Sequence, residues 1–277
     1  MMDTGDTDRN VLAIAETPTG ELIRGHCRLR RDLGDMAVVI GPPGVGKSVA
    51  LRQFAAGHGY EVGARLRTEG IYVAVTPDCA NSLRRSLEKV LHAIIGYRPG
   101  GHPFDKLDIE CSLQSGPIVV DEAQYLNAAA LDAFRTIWDR TGTPFVFAGN
   151  RTFGDRFDRE RHGALAQFAS RIGAPLAIEA IQRGDVDAIG AANGVTDPDA
   201  LDVLAFVASR ADLRAVGRVV RIAGMIGDPN SEPMLREAAF IALGEELPKR
   251  LPRLAKILPF NANVARKGRS ALCLSTG

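Results

Sequence analysis

A parallel α/β domain followed by a smaller, all-helical region is the fold class this sequence predicts, on three observations. β-branched apolar runs alternate with helical apolar patterns as far as about residue 180, and strands separated by helices imply parallel order. The first such run, Met36-Ala-Val-Val-Ile40, leads directly into a glycine-rich loop. Past residue 180 the strand patterns stop and amphipathic helices follow. The 277 residues, 45% apolar and 24% charged, suffice for one α/β domain of ~150 to 180 residues and a smaller helical one. The expected organisation is an N-terminal extension over 1–30, an α/β domain over 31–180, a helical lid over 181–246 and a basic tail over 247–277.

Composition narrows the setting. No run of 18 apolar residues occurs, and Met-Met-Asp-Thr-Gly-Asp at the start is acidic rather than basic. Neither a membrane span nor a secretory leader is therefore expected, and the cytoplasm is the expected location. Cys27, Cys79, Cys111 and Cys273 are scattered without a C-x-x-C pair, which reads as reduced thiols without zinc.

Residues 41 to 48, Gly-Pro-Pro-Gly-Val-Gly-Lys-Ser, match the phosphate-loop pattern G-x-x-x-x-G-K-[ST] in full. A buried strand delivers the chain to a turn whose glycines let backbone N–H groups face a triphosphate, and the following helix aims its positive end there. Gly41, Pro42, Pro43, Gly44, Val45, Gly46, Lys47, Ser48 and Val49 are the expected nucleotide-binding residues. Lys47 is expected to neutralise β/γ oxygens and Ser48 to hold Mg²⁺. The helix buries Val49, Leu51, Phe54 and Ala55 and stops at Gly57 or Gly59.

Ile71-Tyr-Val-Ala-Val75 reads as the second strand. Ser82 to Ile95 reads as a helix with Leu83, Leu87, Val90, Leu91 and Ile94 inward and Arg84, Arg85, Glu88 and Lys89 outward. Gly96 to Gly116 reads as loop. Ile118-Val-Val120 is a short β-branched strand ending in Asp121-Glu122. If it lies beside the first strand, Asp121 reaches the magnesium shell and Glu122 polarises an attacking water, since phosphoryl transfer depends on positioning and electrostatics. A helix capped by Asn127 follows, with Leu131, Phe134, Ile137 and Trp138 against the sheet.

Pro144-Phe-Val-Phe-Ala148 is the fourth strand and Pro175-Leu-Ala-Ile178 the fifth. Ligands of such sheets bind at the carboxyl ends of the strands. Asn150, just past the fourth strand, is placed there to orient water near the γ-phosphate. Arg171, at the end of a helix before the fifth strand, is placed to project into a neighbouring subunit's nucleotide site; a surface arginine favourable to the helix dipole is the local alternative.

The helical region begins at Asp197-Pro198, with Leu201, Val203, Leu204, Phe206 and Val207 inward. A second helix from about Asp212 buries Leu213, Val216, Val219, Val220 and Ala223 and carries Arg214, Arg218 and Arg221 on its other side. Arg214 is the candidate to reach the phosphates, and a solvated basic face fits it locally as well. A third helix, about Glu232 to Gly244, buries Met234, Leu235, Ala238, Ala239 and Ile241. Residues 1–246 hold 27 basic against 33 acidic side chains, whereas the tail holds seven basic and no acidic ones: Lys249, Arg250, Arg253, Lys256, Arg266, Lys267 and Arg269. The tail fits nucleic-acid phosphates, an acidic partner or a solvated terminus.

The phosphate loop, Asp121-Glu122, Asn150, Arg171 and Arg214 stand in the order of an AAA+ ATPase, which the chain resembles over about residues 30 to 245. The resemblance makes them Walker A, Walker B, sensor 1, arginine finger and sensor 2, in an AAA+ fold with a parallel five-stranded sheet flanked by helices and a small all-helical lid. Asp121-Glu-Ala-Gln-Tyr-Leu126, Phe147-Ala-Gly-Asn-Arg151 and Ala166-Gln-Phe-Ala-Ser-Arg-Ile-Gly173 resemble the target-selecting transposition ATPases of the phage Mu B-like family.

That resemblance implies an ATPase that assembles in its ATP form on double-stranded DNA, as a helical filament or ring, and that recruits and activates a transposase. Helicase loaders and other AAA+ ATPases with protein partners share pieces of the same strings, and a loader or protein-remodelling ATPase is the alternative. With the first strand at Met36, the chain leaves too little room for the helix-turn-helix appendage of phage Mu B, so DNA contact is expected on the AAA+ body and the tail. In such relatives the helix after the second strand can face DNA, which makes Arg84, Arg85 and Lys89 the candidates.

Overall fold

The computed structural model describes residues 14–57, 70–97, 100–113, 116–251 and 256–257. These form two compact units. One comprises Gly20–Gly41 and Gly46–Ile178; the other takes in the described residues up to Thr19, Pro42–Val45 and those from Glu179 onward.

In the α/β unit, α1 (Pro18–Asp32, its first two residues belonging to the other unit) precedes β1 (Ala37–Ile40), α2 (Lys47–Ala56), β2 (Ile71–Ala74), α3 (Leu83–Ile95) and α4 (Pro103–Ser112). Next come β3 (Ile118–Asp121), α5 (Ala128–Thr141), β4 (Phe145–Gly149), α6 (Arg151–Glu160), α7 (Ala166–Ala169) and β5 (Leu176–Ala177). The five strands pair in the order β2-β3-β4-β1-β5, every pair parallel. This is the five-stranded sheet expected from the sequence. Its strands are continuous apolar runs because helices cover both faces: Val38, Val39, Ile118, Val119, Val120 and Phe147 are wholly buried. Phe134 on α5, Phe145 and Phe147 on β4 and Phe168 on α7 form one ring cluster with centroids 5.2–5.9 Å apart, a spacing at which aromatic pairs attract beyond their buried area.

Capping chemistry sets the helix ends. Ser82 accepts from Arg85 N at 3.2 Å and Asn127 from Ala130 N at 2.8 Å, so both satisfy a donor that the first helical turn leaves open. Gly96 and Gly142 end α3 and α5 in the left-handed region, with φ 79° and 68°.

Several expectations need correction. The 96–116 stretch is not loop throughout: Pro103 opens α4 at its first turn, and Leu107 and Cys111 are fully buried. The 1–30 extension contains most of α1, which buries Ile23 and Cys27. Val49 and Leu83, expected inward, are 48% and 38% exposed. Val49 lies on the side of α2 opposite Leu51, Phe54 and Ala55, and Leu83 is the first residue of α3.

The second unit contains β6 (Ile181–Gln182), α8 (Arg183–Ala192), α9 (Pro198–Arg210), α10 (Leu213–Ile226), α11 (Glu232–Leu243) and β7 (Lys256–Ile257). It is helical but not wholly so, because β6 and β7 pair antiparallel, Gln182 opposite Lys256. Asp197 caps α9 by accepting from Asp199 N and Ala200 N, with Pro198 in the first turn, and Asp212 caps α10 through Ala215 N at 2.9 Å. Val203, Leu204, Val207, Val216, Val219, Leu235 and Ala238 make the core, whereas Ile241, expected inward, is 56% exposed. Buried Asp185 accepts three hydrogen bonds, from Thr19 N at 2.8 Å, Thr19 Oγ1 at 2.7 Å and Gln182 N at 2.9 Å. Of the basic tail, Arg253, Arg266, Lys267, Arg269 and the side chain of Lys256 lie outside the described residues, as does Cys273.

Candidate nucleotide site

The loop after β1 begins by tying itself to the sheet: Gly41 N donates to Gly149 O, at the end of β4, at 3.1 Å. Gly44 and Gly46 then take φ 76° and 92°, a region closed to most side chains, and α2 starts at Lys47. Its first-turn amides have no partners inside the helix and no acidic side chain stands among them, which favours an anion. Lys47 Nζ holds Gly41 O at 2.8 Å.

The loop's tip belongs with the helical unit. Within that unit Leu213 N donates to Gly44 O at 3.1 Å. A Cβ on Gly44 would fall 2.2 Å from Asp212 Oδ2, so the tip requires glycine twice over. Arg214, exposed in the first turn of α10, adjoins this contact.

The structure brings Ser48 and Asp121 together, although β3 does not lie beside β1 as the sequence reading supposed: β4 stands between them. Asp121 Oδ2 accepts from Ser48 Oγ and from Tyr72 Oη, both at 2.6 Å, and Oδ1 accepts from Glu122 N at 2.8 Å. Asp121 is only 2% exposed. Burial, then the Asp121 carboxylate, pushes the Tyr72 phenol up to about 12, so it stays a donor. The Arg52 guanidinium lies 4.8 Å from the centre of the Tyr72 ring. A hydroxyl and one carboxylate oxygen form a hard, all-oxygen donor set of the kind Mg²⁺ takes when phosphates and water complete its shell. These residues fit that ion.

Glu122 adopts φ 61°, the one positive φ outside glycine among the described residues. Such backbone is sparsely populated and gathers at functional sites. Its carboxylate accepts from Gln124 Nε2, and Gln124 Oε1 accepts from Asn150 N at 3.3 Å. Gln124 therefore links the ends of β3 and β4. Asn150 Oδ1 caps α6 by accepting from Phe153 N at 3.2 Å.

Arg171 is placed differently. Its Nε donates to Asp139 Oδ1 at 2.8 Å and its Nη1 to Ser170 Oγ at 3.0 Å, with the side chain 41% exposed. The Asp139 carboxyl is held below its usual value, first by Arg171 and then by Arg135. Arg84 pairs with Glu88 at 2.6 Å, Arg85 lies 3.8 Å from Asp78, and Lys89 Nζ donates to Thr76 Oγ1 at 3.1 Å.

Motif reading missed Tyr72, Arg52 and Gln124. Tyr72 betrays itself only through register: β2 pairs with β3 so that Ala74 faces Asp121, and a long side chain two residues earlier points from the same face. Cys27, Cys79 and Cys111 are buried free thiols, and burial pushes Cys27 and Cys111 up to about 12. No described helix is long and apolar enough to cross a membrane.

Residues 30–157 match the AAA domain family model, and residues 170–243 match the model for the C-terminal part of the Mu B transposition protein. The chain is 28% identical over 231 residues to the ATP-dependent target DNA activator B of Escherichia phage D108, covering 80% of this chain and 71% of that protein; its counterpart in Escherichia phage Mu gives the same figures. It is 26% identical over 206 residues to the Mu-like prophage FluMu DNA transposition protein B of Haemophilus influenzae, covering 69% of this chain and 66% of that one. Among solved structures it is similar to the Thermotoga maritima RuvB Holliday junction branch migration motor, at 14% identity and a TM-score of 0.48 over 86% of this chain and 76% of that one. An AAA-domain match is thus followed in chain order by a match to the C-terminal part of the Mu B transposition protein, and the chain is similar to the Mu B proteins across both.

Proposed function

We propose that this chain is an Mg²⁺-dependent ATPase that assembles on duplex DNA in its ATP form, selects target DNA and activates a transposase. The observation that carries the reading is the 2.6 Å contact of Ser48, the last residue of the phosphate-loop motif, with buried Asp121. What the nucleotide is used for rests on the likeness to proteins named ATP-dependent target DNA activator B.

The residues divide the work in this reading. Gly41 to Val49 cradle the phosphates with backbone N–H groups, and Lys47 gives up Gly41 O for β/γ oxygens. Ser48 and Asp121 hold the magnesium, which when bound neutralises charge on the transferred phosphoryl group. Glu122 accepts the proton of the attacking water, with Asn150 orienting that water. Arg171 leaves Asp139 to serve a neighbouring subunit, and Arg214 senses the phosphates from α10. The assembled form is a ring or filament, and hydrolysis loosens it.

One observation favours the loader-type alternative, in which the partner is a protein. Arg84, Arg85 and Lys89 are engaged by Glu88, Asp78 and Thr76, so each must trade a partner to meet DNA. The deciding experiment measures ATP turnover and sedimentation with and without non-specific duplex DNA. Binding by many phosphate contacts falls steeply with added salt. DNA-stimulated assembly is expected for wild type. Glu122→Gln is expected to lose ~10²- to 10⁴-fold in turnover while remaining assembled. Turnover and sedimentation indifferent to DNA would replace this reading with the loader alternative.

A further inference from the structure

Three donors surround the Asp121 carboxylate, and each has a different future once nucleotide arrives. Glu122 N–H is main chain and stays on Oδ1. Ser48 Oγ, on Oδ2, is claimed by the ion in the reading above. Tyr72 Oη, also on Oδ2 at 2.6 Å, lies beside Ser48 as well but is not among the groups the reading above assigns to the ion. It comes from β2, the strand hydrogen-bonded to β3, so sheet register fixes its reach. Its ring is in turn covered by the Arg52 guanidinium at 4.8 Å, from the second turn of α2. Arg52 thus ties the helix that follows the phosphate loop to the strand beside Asp121.

We propose that Tyr72, steadied by Arg52, is a positioning residue for the magnesium-side carboxylate, keeping Asp121 aimed after Ser48 turns from it to the ion. The proposal rests on the nucleotide reading above and deepens it. Partners that orient a metal's ligands are worth about 10- to 100-fold in metal affinity when lost. A cation over an aromatic ring at a solvent-exposed site contributes less, on the order of 0.5–1 kcal/mol, or about 2- to 5-fold. The hydroxyl, rather than the stacking, is therefore the larger part of the device.

The test uses the full chain and a fluorescent ATP analogue, titrated with Mg²⁺ and again in EDTA, with thermal melting of each variant as the control for folding. Tyr72→Phe removes the hydroxyl alone and keeps the ring beneath Arg52. It is expected to raise the half-saturating Mg²⁺ concentration about 10-fold, with melting temperature and EDTA affinity unchanged. Arg52→Ala is expected to shift it about 2-fold in the same direction. A Tyr72→Phe protein that matches wild type in Mg²⁺ requirement overturns the positioning role and leaves the nucleotide reading standing. An equal loss of affinity in EDTA also overturns it, since that would mark a merely structural tyrosine. Wild type with no Mg²⁺-dependent affinity would overturn both readings together.

Discussion

The carboxyl end of β3 and the turn bearing Arg171 belong to the same α/β unit, yet they are finished to different degrees. At the first, both oxygens of a buried carboxylate are engaged, by donors from α2, β2 and the main chain. At the second, a guanidinium 41% exposed is held by Asp139, whose other oxygen is held by Arg135. The groups suited to holding nucleotide and metal are thus built within one chain. The arginine proposed to act on the phosphoryl group of a neighbouring copy is instead partly exposed and paired within its own chain. In the proposed reading, the Arg171–Asp139 ion pair is what the arginine gives up on assembly.

The sharpest way to break this comparison is Arg171→Ala. An arginine supplied in trans is worth ~10³ to 10⁵ in rate, so turnover should fall by at least ~10³ while nucleotide affinity stays at the wild-type value. Unchanged turnover in assembled protein would remove the trans assignment. Mixing Arg171→Ala with Glu122→Gln sharpens the point. A donated arginine should restore turnover at interfaces pairing an intact Glu122 with an intact Arg171, which neither variant offers alone.

A second test contrasts the α/β unit with the helical one. Asp185→Ala strands Thr19 N and Thr19 Oγ1 in a buried place and removes the partner of Gln182 N. The loss should be about 3 kcal/mol or more of stability, read by urea unfolding. A loss below ~1 kcal/mol would mean that water reaches these groups.

Much of the site was legible because its chemistry lies in contiguous strings. Lys47-Ser48 opens α2 and Asp121-Glu122 ends β3, each as an adjacent pair, and five apolar runs separated by helices left little freedom for the sheet. What escaped needed two distant segments in register. Tyr72 touches Asp121 across 49 positions, and Gln124 touches Asn150 N across 26. Helix α4 escaped because Gly100-Gly101 and Pro103 read as breakers, whereas proline in a first turn gives up no helical hydrogen bond. Val49 and Ile241 show that being apolar does not place a residue on the buried face: Val49 lies across α2 from Leu51, Phe54 and Ala55, and Ile241 lies off the α11 face of Leu235, Ala238 and Ala239. Arg171 was singled out by position, but its attachment to Asp139 could not be read, since nothing local ties residues 32 positions apart.

The main-chain twist at Glu122 has a further consequence. A residue without a β-carbon accepts φ 61° freely, so Glu122→Gly should make the protein harder to melt by about 1 kcal/mol while silencing it. An equal or lower unfolding midpoint would show that the twist costs nothing. If the midpoint rises, this chain tolerates a permanently uncomfortable bond in order to aim one oxygen, and durability and activity are opposed at a single amino acid.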